Sequence, residues 1–155
     1  MNIANYFSEK NILVGLKASD KREVLEALVG LLERNGLISN PRKLVAQLLD
    51  RESLGSTAIG QGIAFPHSQS AAAKAQAIAV GISKDGVPFG SLDGEPAHVF
   101  FLMVGPEGPN RDHLRTMSVI SGFLREKGLA QKIKNVASPA ELMALFSQDN
   151  HAGYC

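Results

Sequence analysis

The chain has almost no cysteine: one in 155 residues, the terminal Cys155. A disulfide framework or a thiolate metal cluster needs more than that, so neither is built into it. It also lacks an excess of either charge. Sixteen Lys and Arg against fifteen Asp and Glu give a formal net charge of +1. The two signs are interspersed, without the basic stripe that marks a nucleic-acid surface. No apolar run approaches the ~18 residues of a bilayer span, so no membrane insertion is expected. The opening MNIANYFSEKN does not have the basic-then-apolar order of a signal peptide. There is no Walker loop and no carboxylate cluster suited to Mg²⁺. These absences point to a cytoplasmic globular protein that uses neither a metal nor a cofactor.

What remains is an ordinary globular composition, long enough for one domain with a real core. Asn11–Leu16 reads as a short strand. Asp20 then caps a helix, with Glu23 completing a capping box, Val24, Leu28, Leu31 and Leu32 on the buried face, and Gly36 as its stop. Asn40 and Pro41 open a second helix with the stripe Leu44, Val45, Leu48 and Leu49, ending near Arg51 or Glu52. The stretch LGSTAIGQG reads as a loop leading into a strand, GIAFP, that ends at Pro66. Ala77–Ser83 and Ala97–Gly105 are strands, with turns at SKDG and SLDGEP. Asn110 caps a helix to about Glu126 with Leu114, Met117, Ile120 and Leu124 on one face. Ser138, Pro139 and Glu141 begin the last helix. The order fits an α/β sandwich around a mixed sheet, spanning residues 1–147 with a tail over 148–155.

Four histidines carry what chemistry is visible. His67 follows Pro66, which restricts Phe65 to an extended conformation and leaves the imidazole at the strand mouth. Gly60 and Gly62 allow positive-φ turns or close approach to a ligand. His113 stands in the first turn of its helix, in line with Met117, Ile120 and Leu124. A helix N-terminus favours anions. Arg51 can offer a phosphate a fork of donors, and Ser56 and Thr57 can add hydroxyls. A neutral imidazole has a lone pair that can attack phosphorus. Phosphoryl transfer asks chiefly for positioning and charge stabilisation. The plainer readings stay open: a surface histidine at 67, a partly buried histidine bonded to a carbonyl at 113, a dipole-compensating Arg51 and turn-forming Ser56 and Thr57. A metal site from His67 and His113 lacks acidic or cysteine partners in either motif. His98 reads as structural, and His151 with Cys155 lies in a tail where Gly153 argues against a helix.

RESLGSTAIGQGIAFPHS resembles the signature of the enzyme IIA domains of the phosphoenolpyruvate-dependent phosphotransferase system, fructose/mannitol type. NRDHLRTMSVISGFL resembles the second-histidine helix of the same family, and the likeness runs over residues 3 to 147. It implies a type-2 EIIA fold, an α/β sandwich with a mixed sheet of about five strands. By resemblance, His67 is the phosphate acceptor, His113 the second active-site histidine and Arg51 the arginine that holds the phosphoryl group. Ser56 and Thr57 match the hydroxyl pair of the loop. The partners implied are HPr or a nitrogen-branch phosphocarrier, then an EIIB domain or a regulated protein. The Leu-Gly-Ser-Thr run looks more like the nitrogen-regulatory branch, whereas a sugar-specific role and a purely regulatory binding module are the alternatives. Phe65 stands where a branched aliphatic is usual, and Ser68 where glycine or alanine is common. Both flank the Pro66–His67 pair, so partner choice is where this chain would differ.

Overall fold

The computed structural model describes residues 3–148. The expected tail therefore lies outside the described residues except for Gln148, and so do His151 and Cys155. Two 3₁₀ turns, Ile3–Tyr6 and Glu9–Asn11, precede β1 (Ile12–Val14), α1 (Lys21–Arg34) and α2 (Pro41–Ser53). Then come β2 (Ala58–Gly60), β3 (Ile63–Ala64), β4 (His67–Gln69), β5 (Ala77–Val87) and β6 (Ala97–Gly105). The chain closes with α3 (Arg111–Leu124), α4 (Leu129–Ile133) and α5 (Pro139–Gln148).

The strands form one mixed sheet in the order β1-β5-β6-β3-β2, with β4 also on β6. β5 and β6 are antiparallel; β1 runs parallel to β5, and β3 and β4 both run parallel to β6. Because β3 and β4 share one lane beside β6, the six strands fill five positions across the sheet. Side chains alternate between its faces, as strand geometry requires. Ile78, Val80, Ile82, Val99, Phe101 and Met103 pack with α3, α4 and α5. Ala77, Ala79, Phe100, Leu102 and Val104 pack with α1 and α2. The expected sandwich is the observed architecture.

The caps follow the sequence, with one twist. Asp20 accepts from the Glu23 N–H at 2.9 Å, and Ser138 accepts from the Glu141 N–H at 3.2 Å. The two glutamates reach one residue beyond the cap, to the N–H of Ser19 at 2.7 Å and of Ala137 at 2.8 Å. Each therefore satisfies a donor just outside its helix rather than the cap's own N–H. Gly36, at φ 74°, completes a Schellman turn: Gly36 N–H donates to Glu33 and Leu37 N–H to Leu32.

Several boundaries differ from the expected ones. The sequence GSTAIGQG is not a loop throughout, because Ala58–Gly60 pairs antiparallel with Ile63–Ala64 as a hairpin. The SKDG turn is absorbed into β5 as a register irregularity between Ile82 and Val87. α3 ends at Leu124, and α4 is an extra short helix. In α1 the buried face takes Leu25 and Val29 in place of Leu31. Leu114 is 66% exposed. The buried residues of α3 centre on Thr116 and Phe123, and at 3.6 residues per turn Leu114 falls on the far side.

Candidate active site

Pro66 does not end the strand. It interrupts a lane that resumes at once: Ile63 and Ala64 pair with Val99 and Phe100, and His67, Ser68 and Gln69 with Met103, Val104 and Gly105. Proline has no N–H to give, but its carbonyl accepts from Met103 N–H at 3.0 Å. His67 is thus the first residue of β4, anchored in the sheet rather than hanging from its mouth. Its partner in register, Met103, faces α3, and paired residues of adjacent strands share a face. His67 therefore faces α3 as well.

The imidazole of His67 is held on both sides. Its Nδ1 lies 2.7 Å from the carbonyl oxygen of Phe65. A carbonyl only accepts, so Nδ1 carries the proton and Nε2 the lone pair. The Phe65 ring centroid is 5.0 Å from that of His67, with a tilt of 41°.

His113 approaches from α3. Its N–H donates to the Asn110 side chain at 3.1 Å, so the residue belongs to the N-terminal cap. The residue is 4% exposed, and Nδ1 is buried without a hydrogen-bond partner among the described residues. Burial pushes its pKa below the usual 6.5, and the nearby His67 imidazole lowers it further by charge repulsion. The two histidines expected to work together are therefore electrostatic neighbours. Gln69, two residues after His67, ties them mechanically. Its Nε2 donates to Pro106 O at 3.1 Å and Gly108 O at 2.8 Å, fastening β4 to the loop that leads to the Asn110 cap.

The other expected residues have structural bonds of their own. Arg51, in the last turn of α2, donates from Nη1 to Gly55 O at 3.0 Å. The Ser56 hydroxyl bonds the carbonyl of Phe89 and accepts from Ala58 N–H at 3.0 Å. Thr57 is buried, and its hydroxyl bonds the Glu52 carboxylate, which also takes Thr57 N–H at 3.1 Å and Lys21 Nζ at 3.1 Å. The space expected beside Gly60 and Gly62 also serves the fold. Both are at positive φ in the β2–β3 turn, where a Cβ would stand 3.1 Å from Asp93 and 3.2 Å from Ala130. That turn is fixed by Asp93, which accepts from Gln61 N–H at 2.9 Å. His98, read as structural, bonds Ser83 O through Nδ1 at 3.0 Å.

Glu52 and Gln69 were not foreseen. Glu52 had a signal: it continues the Leu44–Leu48 stripe by one more turn, so an acid stands where an apolar side chain is expected. Gln69 had none, since its partners are carbonyls 37 and 39 residues away.

Comparison with known proteins places the chain in a family. Residues 5–149 match the family described as "Phosphoenolpyruvate-dependent sugar phosphotransferase system, EIIA 2". The "PTS system fructose-specific EIIABC component" of Bacillus subtilis is 33% identical over 148 residues, which is 96% of this chain but only 23% of that protein. A "Nitrogen regulatory protein" of Bradyrhizobium diazoefficiens is 33% identical over 136 residues, 86% of this chain and 87% of the relative. The crystal structure of nitrogen regulatory protein IIA-Ntr from Neisseria meningitidis superposes with a TM-score of 0.82 at 28% identity, covering 93% of this chain and 98% of that one.

Proposed function

The chain belongs to the EIIA 2 family of the phosphoenolpyruvate-dependent sugar phosphotransferase system, phosphotransferase components with a phosphohistidine intermediate, and from that premise we propose that His67 is the acceptor. It takes the phosphoryl group at Nε2 from an HPr-like carrier of the nitrogen-regulatory branch, in the cytoplasm. The observation that carries this reading is the bond from His67 Nδ1–H to Phe65 O, which leaves Nε2 as the nucleophile.

The transfer balances without a base. The donor's N–P bond breaks as the Nε2–P bond forms, and the electron pair returns to the donor imidazole. The attacking nitrogen has no proton to lose. Positive charge developing on the His67 ring is shared with Phe65 O through Nδ1–H. His113 supports the phosphorylated ring from the start of α3. Arg51 has further guanidinium donors beyond the one held by Gly55 O, and these are the ones that reach phosphate. Ser56 and Thr57 act by holding the 55–58 backbone, through Phe89 and Glu52, rather than by bonding phosphate themselves.

Docking uses the apolar side chains around this site. Leu54, Ile59 and Leu114 are exposed at 83%, 50% and 66%. Ile59 lines a cavity of about 360 Å³ together with Phe65, Leu124 and Arg125. Such exposed apolar groups suit transient partners. The nitrogen-regulatory relatives support the branch assigned. The equal identity to the fructose component supports a second reading, in which the phosphate passes on to an EIIB for sugar uptake. The experiment is labelling from phosphoenolpyruvate with enzyme I and either branch's carrier. Faster labelling by the nitrogen-branch carrier, lost in His67→Ala, is expected. Preferential labelling by HPr with onward transfer to an EIIB favours the sugar reading. A label retained in His67→Ala overturns both.

A further inference from the structure

Gly105 is the last residue of β6, and nothing in its backbone asks for glycine. Unlike ten other glycines among the described residues, it is not at positive φ. It pairs in register with Gln69, and its carbonyl accepts from Ser70 N–H at 2.8 Å, as any residue could. Its missing side chain matters for another reason. A Cβ built there would stand 2.5 Å from Nδ1 of His113 and 3.0 Å from Cε1. Real Cβ atoms never approach that closely, and His113 is buried, so the ring has little room to retreat.

Strand geometry gives this contact its meaning. Met103 and Gly105 are two residues apart on β6, so they face the same side, about 6–7 Å from each other. His67 is registered against Met103, and the His113 ring lies on Gly105. One short piece of strand therefore sets the places of both imidazoles.

We infer that Gly105 is a positioning residue: its bare Cα is the seat on which the His113 ring rests, and this seat sets the distance of His113 from the phosphate on His67. The functional consequence rests on the phosphoryl-carrier reading above, whereas the seat itself is read from the ring contact. A displacement of His113 by an ångström is enough to slow a positioned reaction up to about 100-fold.

The test is Gly105→Ala, made in the natural chain and in His113→Ala. Transfer to His67, the lifetime of the phosphohistidine, Tm and the His113 ring resonances (¹⁵N and ¹³C, without phosphate) are measured. In the natural background, transfer should fall by roughly 10- to 100-fold and the ring resonances should shift. In the His113→Ala background the added methyl enters the space the ring left, so transfer and Tm should not fall further. If Gly105→Ala alone fails to fold while the double variant folds, the collision is with the ring and the proposal stands. Equal losses in both backgrounds, or unchanged transfer and resonances in the single variant, overturn it. If the natural chain takes no label on His67, the carrier reading falls, and the resonance shift alone decides the seat.

Discussion

Nδ1 of His67 is bonded to the carbonyl oxygen of Phe65, two residues earlier in its own chain, at 2.7 Å. The acceptor is main chain, so no side-chain substitution removes it, and no pH change near neutrality turns it into a donor. The tautomer is fixed before any partner arrives. The phosphohistidine should therefore form at Nε2. Phosphorus–nitrogen couplings in the ¹⁵N-labelled, phosphorylated protein distinguish the two ring positions, and an Nδ1 adduct would contradict the proposed chemistry.

Burial and the charge of His67 both hold His113 below its usual pKa of 6.5. The unfolded chain then binds a proton that the folded chain resists, so stability rises with pH between the two values. His113 imposes no penalty above its unfolded pKa. The penalty grows as pH falls below about 6.5 and is complete below the depressed folded value. His113→Ala should lower the whole stability curve through the cavity it creates, yet flatten it between pH 5 and 7. Denaturant unfolding of both proteins across that range checks this, and parallel curves would refute it. Phosphorylation of His67 places an anion beside His113, so an NMR titration of His113 should show its pKa rising on phosphorylation.

How much of this was legible in the sequence depends on how local each cause is. The helix starts at Asp20, Asn40, Asn110 and Ser138 were readable because a cap and its target lie within three residues. The pairing of His67 with His113 was readable through the motif and the α3 face, since both signals are local patterns. Pro66 misled because strand lanes are a property of the neighbour: β6 pairs with the chain on either side of the interruption. The bond Thr57 makes within the fold was not legible, because a hydroxyl in a glycine-rich loop does not reveal its partner. The partner, Glu52, became visible only once α2 was packed. Gly105 read as the last residue of a strand, because the ring that explains it comes from another element.

The Thr57 hydroxyl and N–H both bond a carboxylate that is 3% exposed, with Lys21 as its ion-pair partner. Removing one donor leaves a buried anion short of a hydrogen bond. Thr57→Val keeps the shape and should cost on the order of 1–3 kcal/mol, whereas Thr57→Ser should recover most of it. The check is a fall in the urea midpoint at unchanged m-value. Because the same residue fixes the 55–58 backbone, Thr57→Val should also slow labelling of His67. A variant as stable as the natural chain would mean that Lys21 and the backbone N–H suffice for Glu52.

Leu114 is adjacent to His113 in sequence but points away from the core: it is 66% exposed, where its neighbour is 4% exposed. Nothing in the core needs it, so Leu114→Ser should leave stability within about 0.5 kcal/mol. If His67 carries phosphate as proposed, an exposed leucine next to His113 is expected to serve the encounter with the carrier, where burying it removes apolar surface from water. Losing that contact should raise the apparent KM for the phosphocarrier several-fold while the maximal labelling rate holds, the signature of uniform binding. Leu92 is the control, because it is fully exposed in the turn held by Asp93. Leu92→Ser should leave both parameters unchanged. A matching rise in KM for the two variants would remove Leu114 from the docking face.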